Sequence, residues 1–153
     1  MTTYMNHDED YPEVYLQEIL KSVKTIAMVG ASANRTKFSY GVLRVLHETG
    51  YDMIPVNPAL AGETIRDLPV YPSLQAIDRP VDMVQVFRRS EELPRIAREA
   101  VEIGAKVLWG QIGVRDDEAA RIAEDAGLKV VMDRCPKIEL FRPFWKPKLH
   151  LGI

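Results

Sequence analysis

"TIAMVGASANRTKFSYGVLRVLHETGYDMIPV", Thr25 to Val56, decides the fold of this chain. It opens with a short apolar run, Thr25 to Val29, closed by Gly30. Runs of this kind read as strands buried on both faces. An amphipathic stretch follows from Ser39 to Thr49. Val42, Leu43, Val45 and Leu46 form its apolar stripe, and Gly50 is placed to end it. A second run, "DMIPV", then leads into Asn57-Pro58. Strand, helix and strand in this order predict a parallel pair joined by a right-handed crossover. The connecting loop, "VGASANRTKFSYG", lies where a dinucleotide-binding unit keeps its G-x-G-x-x-G phosphate loop. Only the first glycine, Gly30, is present. Ser32 and Arg35 stand where the others belong.

The alternation continues outward. "DMVQVF" (Asp82 to Phe87), "KVLW" and "LKVVM" read as further strands. Ser90 is placed to cap a helix in which Leu93, Ile96, Ala97, Ala100 and Val101 recur at helical spacing. A helix from about Asp116 to Ala126 follows, with Gly127 at its end. Upstream, "DYPEVYLQEILKSV" reads as a helix capped by Asp10, with Glu13 completing a capping box. The stretch from Ala59 to Ile77 is an excursion with a short helix expected near Ser73. The pattern predicts an α/β fold: a Rossmann-like, doubly wound, mainly parallel sheet of about five to six strands, with helices on both faces. Residues 1–9 lack periodicity and are expected to be mobile. Residues 10–141 form the domain, and 142–153 a tail. Phe144 and Trp145 in the tail are costly to leave in water. They are expected to pack on the domain or across a homodimer.

Composition narrows the function. The chain of 153 residues carries 20 basic and 22 acidic residues, a net charge of −2. That balance argues against nucleic acid as a partner, which calls for excess positive charge. Apolar runs fall far short of the ~20 residues needed to span a bilayer. The polar, acidic start resembles neither a signal nor a transit peptide. A soluble, cytoplasmic protein is expected. The single cysteine, Cys135, excludes an internal disulfide and a multi-thiolate metal site. No metal-ligand spacing and no nucleophile–base pair stands out.

In open parallel sheets, ligands bind outside the carboxyl ends of the strands, where the strand order reverses. The residues there are Gly30, Ala31 and Ser32; Asn57 and Pro58; Phe87, Arg88 and Arg89; Trp109, Gly110 and Gln111; and Asp133, Arg134 and Cys135. An NAD site wants a carboxylate at the end of the second strand for the ribose hydroxyls. Asn57 stands there instead. The loop adds two cations, Arg35 and Lys37, and guanidinium and ammonium groups pair strongly with phosphate. The helix that follows turns its N–H groups and positive dipole end toward the loop. The residues thus favour a pyrophosphate ligand with an additional ribose phosphate. NADP and coenzyme A both fit.

"VGAS", "YGVLRVL", "GYDMIPVNP", "DMVQVFRR", "LWGQIGV" and "VVMDRCPKIE" occur in this order. Over roughly Lys24 to Glu139 the chain resembles the small CoA-binding proteins related to the first domain of the succinyl-CoA synthetase α subunit. The resemblance implies coenzyme A or an acyl-CoA lying across the carboxyl edge of the sheet. It places the pyrophosphate on Gly30, Ala31 and Ser32, and ribose-phosphate charge on Arg35 and Lys37. Asn57 and Pro58 would flank the adenosine, while Phe87, Arg88, Trp109 and Gln111 would line the ligand's path. The synthetase continues into a phosphohistidine domain and works with an ATP-grasp partner. None of the three histidines here, His7, His47 and His150, stands at a strand end. The resemblance therefore implies binding without catalysis, as a regulator, a carrier or one component beside a partner enzyme subunit.

Plainer readings accompany each residue. Arg35 and Lys37 also suit a solvated loop, and Arg88 and Arg89 suit pairing with Glu91 and Glu92. Asn57-Pro58 also reads as a turn, and Trp109 as core. Cys135 reads first as a small buried side chain. Its neighbours Arg134 and Lys137 would favour a thiolate able to exchange with a CoA thiol. Two rival functions stay open: an NADP-dependent redox sensor or enzyme using the same groove, and a protein-interaction module with a vestigial groove.

Overall fold

The structure, a computed structural model, describes residues 4–142. The tail residues Phe144 and Trp145 lie outside the described residues. The elements follow in the order α1 (Glu13–Ser22), β1 (Thr25–Val29), α2 (Phe38–Thr49), β2 (Asp52–Val56), β3 (Thr64–Ile65), β4 (Leu68–Pro69), β5 (Met83–Val86), α3 (Leu93–Glu102), β6 (Val107–Gly110), α4 (Asp117–Asp125) and β7 (Lys129–Val131). A last helix, α5, begins at 136 and reaches 142. Among the described residues no helix is long and apolar enough to cross a membrane.

The main sheet has five strands in the order β2-β1-β5-β6-β7, all parallel. Its strands are buried on both faces, which is why they read as unbroken apolar runs. Helices α1 and α2 cover one face. Leu16, Ile19, Val42, Leu43 and Leu46 pack there on Ile26, Met28, Met53, Met83 and Trp109. Helices α3 and α4 cover the other, where Leu93, Ile96, Ala97, Ala119 and Ala123 meet Ala27, Ile54, Val84, Leu108 and Val130. The chain leaves β1 toward β2, then returns across β1 to build β5 on its other side. The order therefore reverses between β1 and β5, and the loops that follow these strands diverge to leave a crevice.

Three local expectations change. Pro12, not Asp10, is the N-cap of α1, in extended backbone and without a side-chain cap. A residue before proline is driven out of helical geometry, so the helix cannot start any earlier. Ser90 opens a single 3-10 turn, Ser90–Glu92, and its hydroxyl serves another loop. It accepts from Arg115 N at 2.9 Å and donates to Gly113 O at 3.2 Å. The helix expected near Ser73 is one turn, closed by Ala76 N donating to Ser73 Oγ at 3.2 Å. Ahead of it lies the small antiparallel ribbon β3-β4, turned by Arg66 and Asp67 at φ 50° and 65°. Residues 4–8 lie against α4. Met5 N donates to Glu124 Oε2 at 2.9 Å, and His7 bridges the Tyr11 hydroxyl (2.6 Å) and Glu124 (3.3 Å).

Candidate functional site

Gly30 is the pivot of the crevice. Its φ of +91° lies in the region that favours glycine. A Cβ there would sit 2.4 Å from the carbonyl oxygen of Phe87, so β1 and β5 can approach only at a glycine. Gly30 N donates to Val56 O at 3.0 Å, which ties the turn to β2 as well. Asn57 completes the tie. Its Nδ2 donates to Ala31 O at 2.9 Å, and its Oδ1 accepts from Ala59 N at 2.9 Å. A carboxylate could make only the second of these bonds, because Ala31 offers an acceptor.

The loop beyond is pre-set by its own side chains. Ser32 Oγ accepts from Asn34 N at 3.0 Å, and Asn34 Oδ1 accepts from Thr36 N at 2.9 Å. These turns deliver Lys37 as the N-cap of α2 in extended backbone. The helix has no side-chain cap and no acidic residue in its first turn. Its leading N–H groups and positive dipole end therefore face the loop unopposed. Arg35 and Lys37 are exposed and make no side-chain hydrogen bond or ion pair among the described residues.

Two cavities line the carboxyl edge. The first, about 450 Å³, lies between Gly30, Val56, Asn57 and Pro58 on one side and Leu74 and Arg95 on the other. The second, about 470 Å³ and more open, is lined by Phe87, Arg88, Arg89, Gln111, Ile112 and Val114. Arg88 and Glu92 border both. Glu92 accepts from Arg88 Nε at 3.1 Å and from Arg95 Nη2 at 3.2 Å, with Arg89 Nε at 3.9 Å. The Arg88 guanidinium holds the Glu92 carboxyl below its ordinary range. Arg95 Nη1 also donates to Glu99 Oε2 at 3.0 Å, so the arginines of this ridge stand among carboxylates.

The expected site residues divide into three groups. Gly30, Asn57, Pro58, Phe87, Arg88 and Gln111 border the cavities. Ala31 is buried, but its carbonyl anchors Asn57, while Ser32, Arg35 and Lys37 stand on the loop beyond it and line neither cavity. Trp109 lies in the core at 0% exposure, and its Nε1 donates to Arg134 O at 2.9 Å. It supports the floor and does not line the groove. Cys135 is buried at 1% exposure, which withdraws its thiol from exchange at the surface. Among the described residues no cluster of His, Cys, Asp or Glu suits a metal ion. The sequence reading missed Gln85, Leu74 and Arg95. Gln85 had a legible signal: a lone amide inside the apolar run "DMVQVF".

The description of the matching family model is "CoA binding domain", and the match spans residues 24–140. This chain belongs to the CoA-binding domain family. YneT, an uncharacterised protein of Bacillus subtilis, is 40% identical over 123 residues, 80% of this chain and 90% of the relative. The α subunit of an ADP-forming acetate–CoA ligase I from Pyrococcus furiosus is 33% identical over 108 residues. That match covers 63% of this chain and only 23% of the ligase subunit. A hypothetical protein of Pyrococcus horikoshii has the same fold, with a TM-score of 0.83 at 31% identity. The match covers 92% of this chain and 97% of that one. Within this CoA-binding domain, the matched span starts just before β1 and ends in α5. It takes in the whole main sheet and both cavities.

Proposed function

We propose that this chain binds coenzyme A or an acyl-CoA across the carboxyl edge of its sheet, without catalysis of its own. The observation that carries the reading is the rim of the Gly30 loop. An uncapped helix N-terminus, Arg35 and Lys37 together offer unneutralised positive charge, and β2 is followed by Asn57 in place of a carboxylate. A pyrophosphate would rest on the loop from Gly30 to Ser32 and on the start of α2. The ribose phosphate would meet Arg35 and Lys37. Adenosine would fill the cavity beside Asn57 and Pro58, and the arm would run past Phe87 and Gln111.

The geometry supports positioning and not activation. Making a thioester from a carboxylic acid requires an activated acyl group, and the groove pairs its carboxylates, Glu92 and Glu99, with arginines. The chain would act as a regulator or carrier, or beside a partner enzyme subunit. Its likeness to one segment of a ligase subunit supports the last role. The test is calorimetric titration with coenzyme A, dephospho-CoA, NADP and NAD. Coenzyme A is expected to bind at least tenfold more tightly than NAD, about 1.4 kcal/mol. NADP binding more tightly than coenzyme A would assign the groove to redox chemistry. Binding of none of the four would leave the interaction-module reading.

A further inference from the structure

We propose that Gln111, held in place by Gln85, binds a carbonyl oxygen on the ligand's arm, the part beyond the pyrophosphate. The inference rests on the coenzyme A reading and concerns a part of the ligand that the cationic rim does not touch.

Gln85 is the third residue of β5, in register with Met28 of β1 and Trp109 of β6. It is 0% exposed, and Gln111 is 3% exposed. Gln85 Nε2 donates to Gln111 Oε1 at 3.1 Å. That bond leaves Gln85 Oε1 and Gln111 Nε2 buried without a partner, the two such side-chain atoms among the described residues. Native interiors rarely leave polar atoms unpaired, and an exception calls for a reason. Stability does not supply one. Two unbranched apolar side chains would fill the same space, and replacing both members of a buried polar pair is often neutral or favourable.

Position supplies the reason. Gln111 is the first residue beyond β6 and lines the more open cavity, the end of the groove assigned to the arm. Its oxygen is engaged by Gln85, so its amino group is the one that seeks an acceptor. The wall beside it is open: Ile112 is 55% exposed. The arm of coenzyme A carries amide carbonyls, and an acyl-CoA adds a thioester carbonyl. Either is an acceptor for Gln111 Nε2. Gln85 never meets the ligand and is a positioning residue that sets which end of the Gln111 amide is free.

The experiment titrates the wild type, Gln111→Met, Gln85→Met and the double variant with three ligands. These are coenzyme A, acetyl-CoA, and adenosine 3′-phosphate 5′-diphosphate, which lacks the arm. The Gln111→Met variant is expected to weaken acetyl-CoA alone or both arm-bearing ligands about tenfold, roughly 1.4 kcal/mol. Its affinity for the armless fragment is expected to stay within about twofold, which also reports an intact fold. The double variant is expected to melt at or above the wild-type temperature. A loss confined to acetyl-CoA supports the inference and assigns the contact to the thioester carbonyl. A loss with both arm-bearing ligands assigns it to an arm amide. Unchanged affinity for both, or an equal loss for the fragment, overturns the inference alone. A wild type that binds none of the three overturns the coenzyme A reading itself.

Discussion

Gly30→Ala is the sharpest perturbation of this fold. Two costs add there. The first is conformational: an L side chain at φ +91° is held in the left-handed region, at about 1–2 kcal/mol. The second is steric. The new Cβ would stand 2.4 Å from Phe87 O and 2.9 Å from Phe87 C, both backbone atoms. No rotamer change relieves such contacts, so β1 and β5 must part, at a further ~1–3 kcal/mol. The total is roughly 2–5 kcal/mol, or a fall of about 5–15 °C in melting temperature for a domain of this size. Gly62→Ala is the control. Its φ is +85°, and nothing lies within 4 Å of the added carbon, so it bears the first cost alone. Urea unfolding of the two variants, followed by circular dichroism, isolates the steric part as their difference. Equal destabilisation of the two would refute the claim that strand approach dictates this glycine.

Removing both rim charges, Arg35→Ala with Lys37→Ala, is expected to weaken coenzyme A by about 1.5–3 kcal/mol in calorimetry. Dephospho-CoA should lose less and the melting temperature should hardly move, since both side chains are exposed. Unchanged coenzyme A affinity would return both to a solvated loop. Asn57→Asp is expected to destabilise by roughly 1–3 kcal/mol in urea titration, because a carboxylate would face the Ala31 carbonyl in place of an N–H. Acid titration should expose the ion pairs. Arg88 holds the Glu92 carboxyl below its ordinary range, and Arg79 does the same for Asp52. A depressed carboxyl adds stability that is complete above its unfolded value and is lost as pH falls through the folded one. Stability should therefore decline on the acid side of the carboxylate range, and Glu92→Gln should make that decline shallower. An unchanged acid limb in Glu92→Gln would show that the pair contributes nothing.

The fold was legible because each main strand is buried on both faces and each helix on one stripe. Apolar runs such as "TIAMV" and periodic stretches such as Val42 to Leu46 carry that information directly. The β3-β4 ribbon was not legible, because Arg66 and Asp67 take positive φ without the glycine or asparagine that announces such a turn. Nor was the start of α1, where Pro12 overrules a plausible cap at Asp10. At the site, sequence order gave the strand ends but not the direction of the side chains. Trp109 and Gln111 are two residues apart and share a side of the sheet, yet the strand ends between them. One is therefore sealed beneath the edge, and the other reaches it.

Charge along the groove then sorts the cations by role. Arg88 reads from the sequence as lining the ligand's path, but Glu92 already holds it through two nitrogens, at 3.1 and 3.0 Å. An anion at Arg88 would have to compete with a carboxylate in place, and its gain would be correspondingly small. Arg35 and Lys37 are exposed and hold no carboxylate among the described residues, so an anion there meets no such competition. In the proposed binding mode the first phosphate contact therefore falls at the loop. Arg88 and Glu92 border both cavities, and in the proposed binding mode they form the ridge between the adenosine end and the arm. A ligand long enough to cross that ridge can use the buried amides beyond it, and one that ends at the pyrophosphate cannot. Coenzyme A, bound as proposed, would cross it, and that difference is what the armless fragment measures.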